Sequence, residues 1–136
     1  MDVELVKPLP VPTPTSRPFW EGLADGKVRI QKCDACGTWV FYPRSRCSCC
    51  LSDQLRWRDV SGNGTLYTFT IARQPTSPHF AGETPQLLAV VELDEGVRLT
   101  TNLVDVEEAD IRVGMRVKAC FERASPDITM LKFQPA

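Results

Sequence analysis

The feature that most constrains this chain is a set of four cysteines arranged as two Cys-x2-Cys pairs with ten residues between the pairs: Cys33, Cys36, Cys47 and Cys50. Each pair can present two thiolates from a single tight turn, and a short hairpin can bring the two turns to one point. Gly37 follows the first pair directly, and glycine relieves crowding where backbone amides fold back toward sulfur. The spacing therefore predicts a tetrahedral metal site and not cysteines scattered through an ordinary core.

The predicted metal is one structural zinc ion. Four thiolates suit zinc or a single iron equally well in geometry, so the spacing alone does not separate the two metals. A redox iron centre would leave the rest of the chain unexplained, and a closed four-cysteine site leaves no coordination position for water. Cys49 is left out because its use would leave a one-residue spacer after Cys47. Cys120 is expected to be a small buried side chain in a strand.

Six cysteines could instead form a disulfide framework, which would be typical of a secreted chain. The first residues, MDVE, do not begin a signal peptide, and no stretch is long enough to cross a membrane. We therefore expect a cytoplasmic protein with reduced thiols and no membrane contact.

The charges nearly balance overall but are unevenly distributed. The chain has 16 basic and 17 acidic residues, a net charge of −1, which a zinc ion bound by four thiolates would lower to about −3. This is not the profile of a protein that neutralises many phosphates. Residues 27–59 contain seven basic and three acidic residues, whereas residues 83–110 contain eight acidic residues and one arginine. Two interpretations stay open: solvated faces of opposite sign, or a basic ribbon that meets a phosphate-bearing ligand or an acidic partner.

The chain divides into three segments: a Pro-rich extended arm (1–15), a helix plus zinc ribbon (16–58) and a barrel (59–136). Alternate prolines hold the arm extended, either as a free tail or along a partner. Ser16 is the predicted N-cap of a helix with a wide apolar face, which we expect to dock on a larger unit in this chain or outside it. Trp57 then opens the link to the barrel.

Five short segments with strand character follow the ribbon, at residues 66–71, 87–93, 97–103, 117–121 and 128–133. A short acidic helical turn separates the third from the fourth. This order matches a small Greek-key barrel of the OB type, whereas a sandwich would usually have about seven strands. We therefore predict a mainly β fold: an N-terminal helix, a four-cysteine ribbon and a C-terminal five-stranded OB-fold barrel.

The order of these parts, with several short motifs, supports a resemblance to a known family. The motifs are Pro18-Phe19-Trp20, the two cysteine pairs, Ser61-Gly62-Asn63-Gly64, the segment from Val90 to Gly96, Thr101-Asn102-Leu103 and Val113-Gly114-Met115. Over residues 17–136 the chain resembles the acyl-CoA-associated family that joins a rubredoxin-like zinc ribbon to an OB-fold, long described as a domain of unknown function. Two residues depart from the family pattern: the extra Cys49, and Leu51 where glycine is usual, which puts the local turn geometry in question.

The resemblance implies a non-catalytic accessory subunit in a hetero-oligomer. Its partner would be a thiolase-superfamily, lipid-transfer-protein-like subunit that carries the catalytic residues and acts on acyl-CoA thioesters. The expected reaction of the complex is retro-aldol cleavage of steroid side-chain CoA esters, in steroid degradation. The alternative within the family is a subunit that bridges acetoacetyl-CoA thiolase and hydroxymethylglutaryl-CoA synthase.

Two groups of residues are candidate contact sites. If acyl-CoA contacts this chain, its phosphates are expected to meet the arginines of the basic ribbon: Arg44, Arg46, Arg56 and Arg58. Phe19 and Trp20 on the helix are candidate partner contacts. Phe80, in the Pro-rich loop 74–85, could border a partner's acyl tunnel.

No catalytic residue is expected in this chain. His79 is the only histidine, and no Ser-His-Asp or Cys-His set can be assembled around it. A nucleic-acid-binding zinc-ribbon and OB-fold module is the rival interpretation. It is disfavoured because residues 83–110 carry a net charge of −7, which would repel phosphates, although the ribbon alone could still bind them.

Overall fold

The computed structural model describes residues 8–75 and 77–136. Its helix and strands are α1 (Arg17–Ala24), β1 (Val28–Cys33), β2 (Trp39–Val40), β3 (Leu55–Val60), β4 (Asn63–Ala72), β5 (Gln86–Leu93), β6 (Arg98–Asn102), β7 (Arg116–Arg123) and β8 (Thr129–Pro135), with 3-10 turns at Pro78–Glu83 and Glu108–Asp110. The predicted fold class is confirmed: a mainly β chain with one N-terminal helix, a four-cysteine ribbon and an antiparallel OB-type barrel. Within these ranges no helix has the length and apolar character needed to span a bilayer.

The ribbon is a three-stranded antiparallel sheet in the order β2-β1-β3. The prediction that Trp57 opens a link is wrong, because this residue lies within β3, opposite Gln31 of β1. The alternation of Leu55 and Trp57 with Arg56 and Arg58 is a strand pattern. Its partner β1 lies far back in the sequence, and such non-local pairing is not visible in a local pattern.

The barrel contains five antiparallel strands in the order β6-β5-β4-β7-β8. A parallel bridge between Leu103 and Phe133 brings its two ends together, so the barrel is nearly closed. Gly64 allows β4 and β5 to approach closely, since a Cβ at this position would lie 2.6 Å from the carbonyl oxygen of Glu92.

One hydrophobic core joins the helix, the ribbon and the barrel. Phe19 and Leu23 of α1 are 4% and 1% exposed, and they belong to the same cluster as Ile30 of the ribbon and Phe133 of the barrel. The apolar face of α1 therefore docks within this chain.

The ribbon and the barrel meet at a tight joint of two residues, Ser61 and Gly62, between β3 and β4. Gly62 has a φ of +78°, and a Cβ there would lie 3.1 Å from Cβ of Ala119 in the barrel and 3.6 Å from Cγ2 of Val28 in the ribbon. The Ser61 amide donates to a carboxylate oxygen of Glu95 at 3.1 Å. The joint is thus packed from both sides.

The N-terminal arm is described from Pro8 onward, and residues 1–7 lie outside the described residues. Residues 8–13 form no helix or strand. A turn then leads into α1, where the Thr13 amide donates to Oγ of Ser16 at 2.9 Å and the Ser16 amide donates to the Thr13 carbonyl at 3.1 Å. Ser16 is 1% exposed, so this turn fixes the direction in which the arm leaves the helix.

Candidate metal centre

The two cysteine pairs lie on two turns with matching backbone hydrogen bonds. In the first turn the Gly37 amide donates to the Cys33 carbonyl at 2.8 Å, and in the second the Leu51 amide donates to the Cys47 carbonyl at 3.0 Å. Both turns end in the left-handed region, with φ of +78° at Gly37 and +64° at Leu51. Leu51, where the family pattern has glycine, therefore adopts the turn conformation expected of glycine.

These turns bring the four predicted ligands together. The sulfur atoms of the two cysteine pairs all lie within 4.8 Å of one another. Cys33 Sγ is 3.6 Å from Cys50 Sγ, and Cys36 Sγ is 3.6 Å from Cys47 Sγ. A tetrahedral zinc ion with Zn–S bonds of about 2.3 Å requires sulfurs about 3.8 Å apart. The number, chemistry and spacing of these donors therefore fit zinc.

The thiols in this group differ in burial and in proton affinity. Cys33 and Cys47 are fully buried, whereas Cys36 and Cys50 are exposed. The side chain and backbone of Thr38 lower the pKa of the Cys36 thiol from 9.0 to about 6. The Ser52 amide lowers the pKa of Cys50, but loss of hydration and the neighbouring thiols outweigh it and raise that pKa to about 12. A bound divalent cation would remove this difference in protonation, because it favours the thiolate form of all four cysteines.

The other two cysteines lie outside the sulfur group. The Cys49 amide donates to Sγ of Cys47 at 3.3 Å, so this residue contributes its backbone to the site while its side chain is exposed. Cys120 is half-buried in β7, where burial, and then the charge of Asp105, raise the pKa of its thiol. Its position is in a strand, as predicted.

The structure divides the four candidate arginines among three places. Arg56 and Arg58 both contact the carboxylate of Asp34. Arg44 is held through its main chain by the side chain of Gln31. Arg58 lies opposite Ile30 of β1, so the two side chains share one face of the ribbon sheet. Side chains alternate along a strand, so the next residue, Gln31, lies on the other face with the Arg44 main chain that it binds.

The fourth arginine lies beside the second cysteine turn. A guanidinium nitrogen of Arg46 donates to the Leu51 carbonyl at 3.2 Å. Two residues near the metal site were missed in the sequence analysis, Asp34 and Thr38. The only signal for them was their position within or next to the first cysteine pair.

The three aromatic partner candidates differ in what they offer. Phe19 is buried and packs edge-to-face against Phe41, with 5.6 Å between ring centroids, so its ring contributes to the chain's own core. Trp20 is half-buried, and its indole N–H is buried with no acceptor among the described residues. Phe80 is half-buried in the turn Pro78–Glu83.

His79 lies in an exposed loop, where its Nδ1 is 3.3 Å from Oγ of Ser77. The two residues are two positions apart in the same loop, so this contact is local.

Comparison with known families gives two adjoining matches. Residues 20–56 match the family described as the ChsH2 rubredoxin-like zinc ribbon domain, and residues 57–122 match the ChsH2 C-terminal OB-fold domain. Together these matches cover the cysteine site and most of the barrel.

Curated relatives fall into two groups. A DUF35 domain-containing scaffold protein of Methanocaldococcus jannaschii is 33% identical over 71% of this chain and 68% of its own length. A probable enoyl-CoA hydratase alpha subunit of Thermomonospora curvata is 38% identical over 87% of this chain. A 3-oxo-4,17-pregnadiene-20-carboxyl-CoA hydratase alpha subunit of Mycobacterium tuberculosis is 31% identical over 86% of it. The chain spans only 37% and 36% of the lengths of these two hydratase subunits.

Among solved structures, the fold superposes on a chain of an Ltp2-ChsH2(DUF35) aldolase with a TM-score of 0.82. The two chains are 33% identical, and the match covers 93% of this chain and 98% of the other. By its cysteine ribbon, its barrel and these similarities along most of its length, the chain belongs to the ChsH2/DUF35 family of zinc-ribbon and OB-fold proteins.

Proposed function

We propose that this chain is a non-catalytic accessory subunit that binds a thiolase-superfamily, lipid-transfer-protein-like partner and supports its action on acyl-CoA thioesters. The reaction we propose for the complex is retro-aldol cleavage of the carbon–carbon bond in steroid side-chain CoA esters. The partner carries the catalytic groups, and this chain supplies a rigid surface against it.

The observation that carries this proposal is the match to the aldolase chain, which extends over 98% of that chain at 33% identity. The match to the pregnadiene-carboxyl-CoA hydratase subunit adds a steroid CoA ester as substrate class. In both hydratase relatives the matching region is about a third of a longer protein, which fits a module that works beside other catalytic parts.

We further propose that Cys33, Cys36, Cys47 and Cys50 bind one zinc ion with a structural role. All four coordination positions would be filled by thiolates, so no water could be activated, and the metal would stabilise the ribbon. The thiols must stay reduced to bind it, and this requirement supports a cytoplasmic location.

The basic ribbon is proposed to contact the phosphates of the CoA ester through its four arginines. Arg56 and Arg58 already contact Asp34, whereas Arg44 and Arg46 contact no carboxylate in the part of the chain that the structure describes. We therefore expect the Arg44→Ala/Arg46→Ala double variant to weaken CoA-ester affinity more than Arg56→Ala/Arg58→Ala.

This contact is tested by titrating an acyl-CoA into the purified complex with each double variant. Lys118→Ala/Arg123→Ala is the matched control, because both residues are exposed cations on β7 of the barrel. Replacing all four ribbon arginines should weaken affinity by about tenfold or more, through lost charge-assisted contacts. Unchanged affinity in the fourfold variant would end this part of the proposal.

A second candidate function is a scaffold that bridges a biosynthetic thiolase and a synthase. It is favoured by the similarity to the Methanocaldococcus scaffold protein, which extends over most of both chains. The two candidates differ in the number of partners: the bridging subunit has two, and the aldolase subunit has one.

The deciding experiment is affinity purification of the tagged full chain from its native host at moderate salt, followed by mass spectrometry. A stoichiometric lipid-transfer-protein-like subunit alone would support the aldolase proposal, and a thiolase together with a synthase would support the bridging function. Elution alone, or with nucleic acid that salt removes, would contradict both and favour a nucleic-acid-binding module.

A further inference from the structure

The two cysteine turns share a feature beyond their ligands, a hydroxyl residue two positions after the second cysteine of each pair. These residues are Thr38 and Ser52. The Thr38 carbonyl accepts a hydrogen bond from the Cys33 amide at 2.9 Å. The Ser52 carbonyl accepts one from the Cys47 amide at 2.8 Å. The two residues therefore occupy equivalent places in the two turns, and their hydroxyls can be compared directly.

The two hydroxyls differ in what they contact. Oγ1 of Thr38 lies 3.2 Å from Sγ of Cys36. Oγ of Ser52 accepts a hydrogen bond from the Gln54 amide at 3.1 Å and has no hydrogen bond to a cysteine sulfur within the described residues. The main chains of Thr38 and Ser52 also contact Cys36 and Cys50, respectively. Both sulfurs thus have a main-chain contact, and Cys36 has a hydroxyl in addition.

The Thr38 hydroxyl has a defined role once a metal is bound. A zinc-bound thiolate carries no proton, so the hydroxyl must donate and the Cys36 sulfur must accept. Hydrogen bonds from outside the ligand set hold a ligand in position, and their loss typically weakens metal binding about 10–100-fold. They also make a thiolate less basic, and the nucleophilicity of a thiolate falls with its basicity. Cys36 should therefore react more slowly than a thiolate without this contact.

Burial limits the reaction with small electrophiles to two of the four ligands. Cys33 and Cys47 are fully buried, whereas Cys36 and Cys50 are exposed. In the metal-loaded chain all four sulfurs are thiolates, so ionisation does not distinguish the two exposed ones. The hydroxyl contact at Cys36 then decides which of them reacts first.

We propose that Thr38 is a positioning residue of the metal centre, that its hydroxyl protects the Cys36 thiolate, and that small electrophiles therefore open the metal-loaded site at Cys50. This inference rests on the proposed zinc site. It adds to that site a reactive ligand on the second turn and a residue that determines the order of reaction.

The order is tested by alkylation of the zinc-loaded full chain. Cys49→Ser is the parent chain, because Cys49 is an exposed thiol outside the sulfur group and would react independently. With limiting iodoacetamide, the Cys50 sulfur forms a bond to the methylene carbon while the carbon–iodine bond breaks and iodide leaves. Peptide mapping should show Cys50 modified about fivefold faster than Cys36. Native mass spectrometry should show that zinc is lost together with the first alkylation, because the thiolate is the metal ligand.

The role of the hydroxyl is tested with Thr38→Val and Thr38→Ser. Thr38→Val should weaken zinc affinity about tenfold and raise the alkylation rate of Cys36 to that of Cys50. In the cobalt-loaded chain it should also shift the thiolate-to-metal charge-transfer absorption, which a change in stability alone would not do. Thr38→Ser keeps the hydroxyl and should match the parent in all three measurements. Ser52→Ala is the matched control and should also match the parent, because its hydroxyl contacts the Gln54 amide.

Several outcomes would overturn the inference. A Cys36 rate equal to or above the Cys50 rate in the parent chain would do so, and this measurement requires no change at Thr38. Equal effects of Thr38→Val and Thr38→Ser would show that the hydroxyl has no such role. A wild-type chain that binds no zinc would contradict the proposed zinc site and this inference together, whereas one zinc per chain with the wrong order of alkylation would contradict the inference alone.

Discussion

The two cysteine turns of the ribbon have the same backbone path and different residues at its most demanding position. Each turn buries its first cysteine, exposes its second, and closes with an amide bonded to the first cysteine's carbonyl. Yet the left-handed residue is Gly37 in the first turn and Leu51 in the second. The comparison teaches that the spacing of the cysteines determines the backbone conformation of such a turn. The residue directly after the second cysteine changes only the conformational free energy of that turn.

The largest expected effect comes from removing a buried ligand. Cys33→Ser and Cys47→Ser should each abolish zinc binding and unfold the ribbon, because a structural zinc site contributes roughly 10 kcal/mol or more to folding. Metal content by mass spectrometry and the thermal midpoint by circular dichroism measure both effects. If the turns are equivalent, the two variants behave alike, and Cys49→Ser, which changes no member of the sulfur group, should retain one zinc per chain.

The second prediction separates the two exposed cysteines. Immediately after chelation of the metal at pH 7.5, before the ribbon unfolds, iodoacetamide should modify Cys36 at least about tenfold faster than Cys50, because only the thiolate reacts. The sign follows from the pKa values: Cys36, near 6, is ionised at this pH and loses reactivity as the pH falls through 6, whereas Cys50, near 12, stays protonated. Peptide mapping at several pH values gives both rates.

Thr38→Val is the matched control for that experiment. It removes the hydroxyl that lowers the Cys36 pKa and should slow modification of Cys36 at pH 7 while leaving Cys50 unchanged. Equal rates for the two cysteines in the wild-type chain would contradict the difference between the turns.

The third prediction makes the first turn resemble the second. Gly37→Leu should lower the free energy of unfolding by about 1 kcal/mol, since a side chain in the left-handed region is strained. No atom lies within 4 Å of a Cβ at this position, so the cost comes from backbone conformation and not from a clash. Urea denaturation of the zinc-loaded protein measures it, and an unchanged midpoint would show that the turn tolerates any residue.

The smallest expected effect is the reverse change. Leu51→Gly should stabilise the chain by about 0.5 kcal/mol, because relief of the left-handed strain is partly offset by the greater freedom of glycine in the unfolded chain. Leu51 is 70% exposed, so little packing is lost. The double variant Gly37→Leu/Leu51→Gly tests whether the two effects add.

Much of this molecule could be predicted because its signals are local. The cysteine spacing predicted the sulfur group. The apolar run of residues 87–93 and the alternation of residues 117–121 predicted barrel strands that the structure contains. β3 was missed although its residues alternate as in a strand; what the local pattern could not show is its pairing with the distant β1. The separation of Arg44 from Arg58 also depends on the faces of the ribbon sheet that Gln31, which binds Arg44, and Arg58 occupy, and those faces are determined only once the strands pair.

The same limit applies to the arm. Its prolines predicted an extended segment, but the barrel surface beside Pro8–Pro10 is assembled from a loop and strands that are distant in sequence. The Asp34 contacts with Arg56 and Arg58 likewise require the first cysteine turn to fold next to β3. Such contacts follow from tertiary packing and leave no pattern in a short window of sequence.

The two-residue joint at Ser61 and Gly62 makes the ribbon and the barrel one rigid unit. A side chain at Gly62 would meet both Val28 of the ribbon and Ala119 of the barrel, and one core joins the two units, so rotation of one against the other would open that core. A protein that binds the ribbon and displaces it would therefore move the barrel by the same rotation. Chimeras that exchange one unit with a relative should therefore carry the joint and both of its neighbours together.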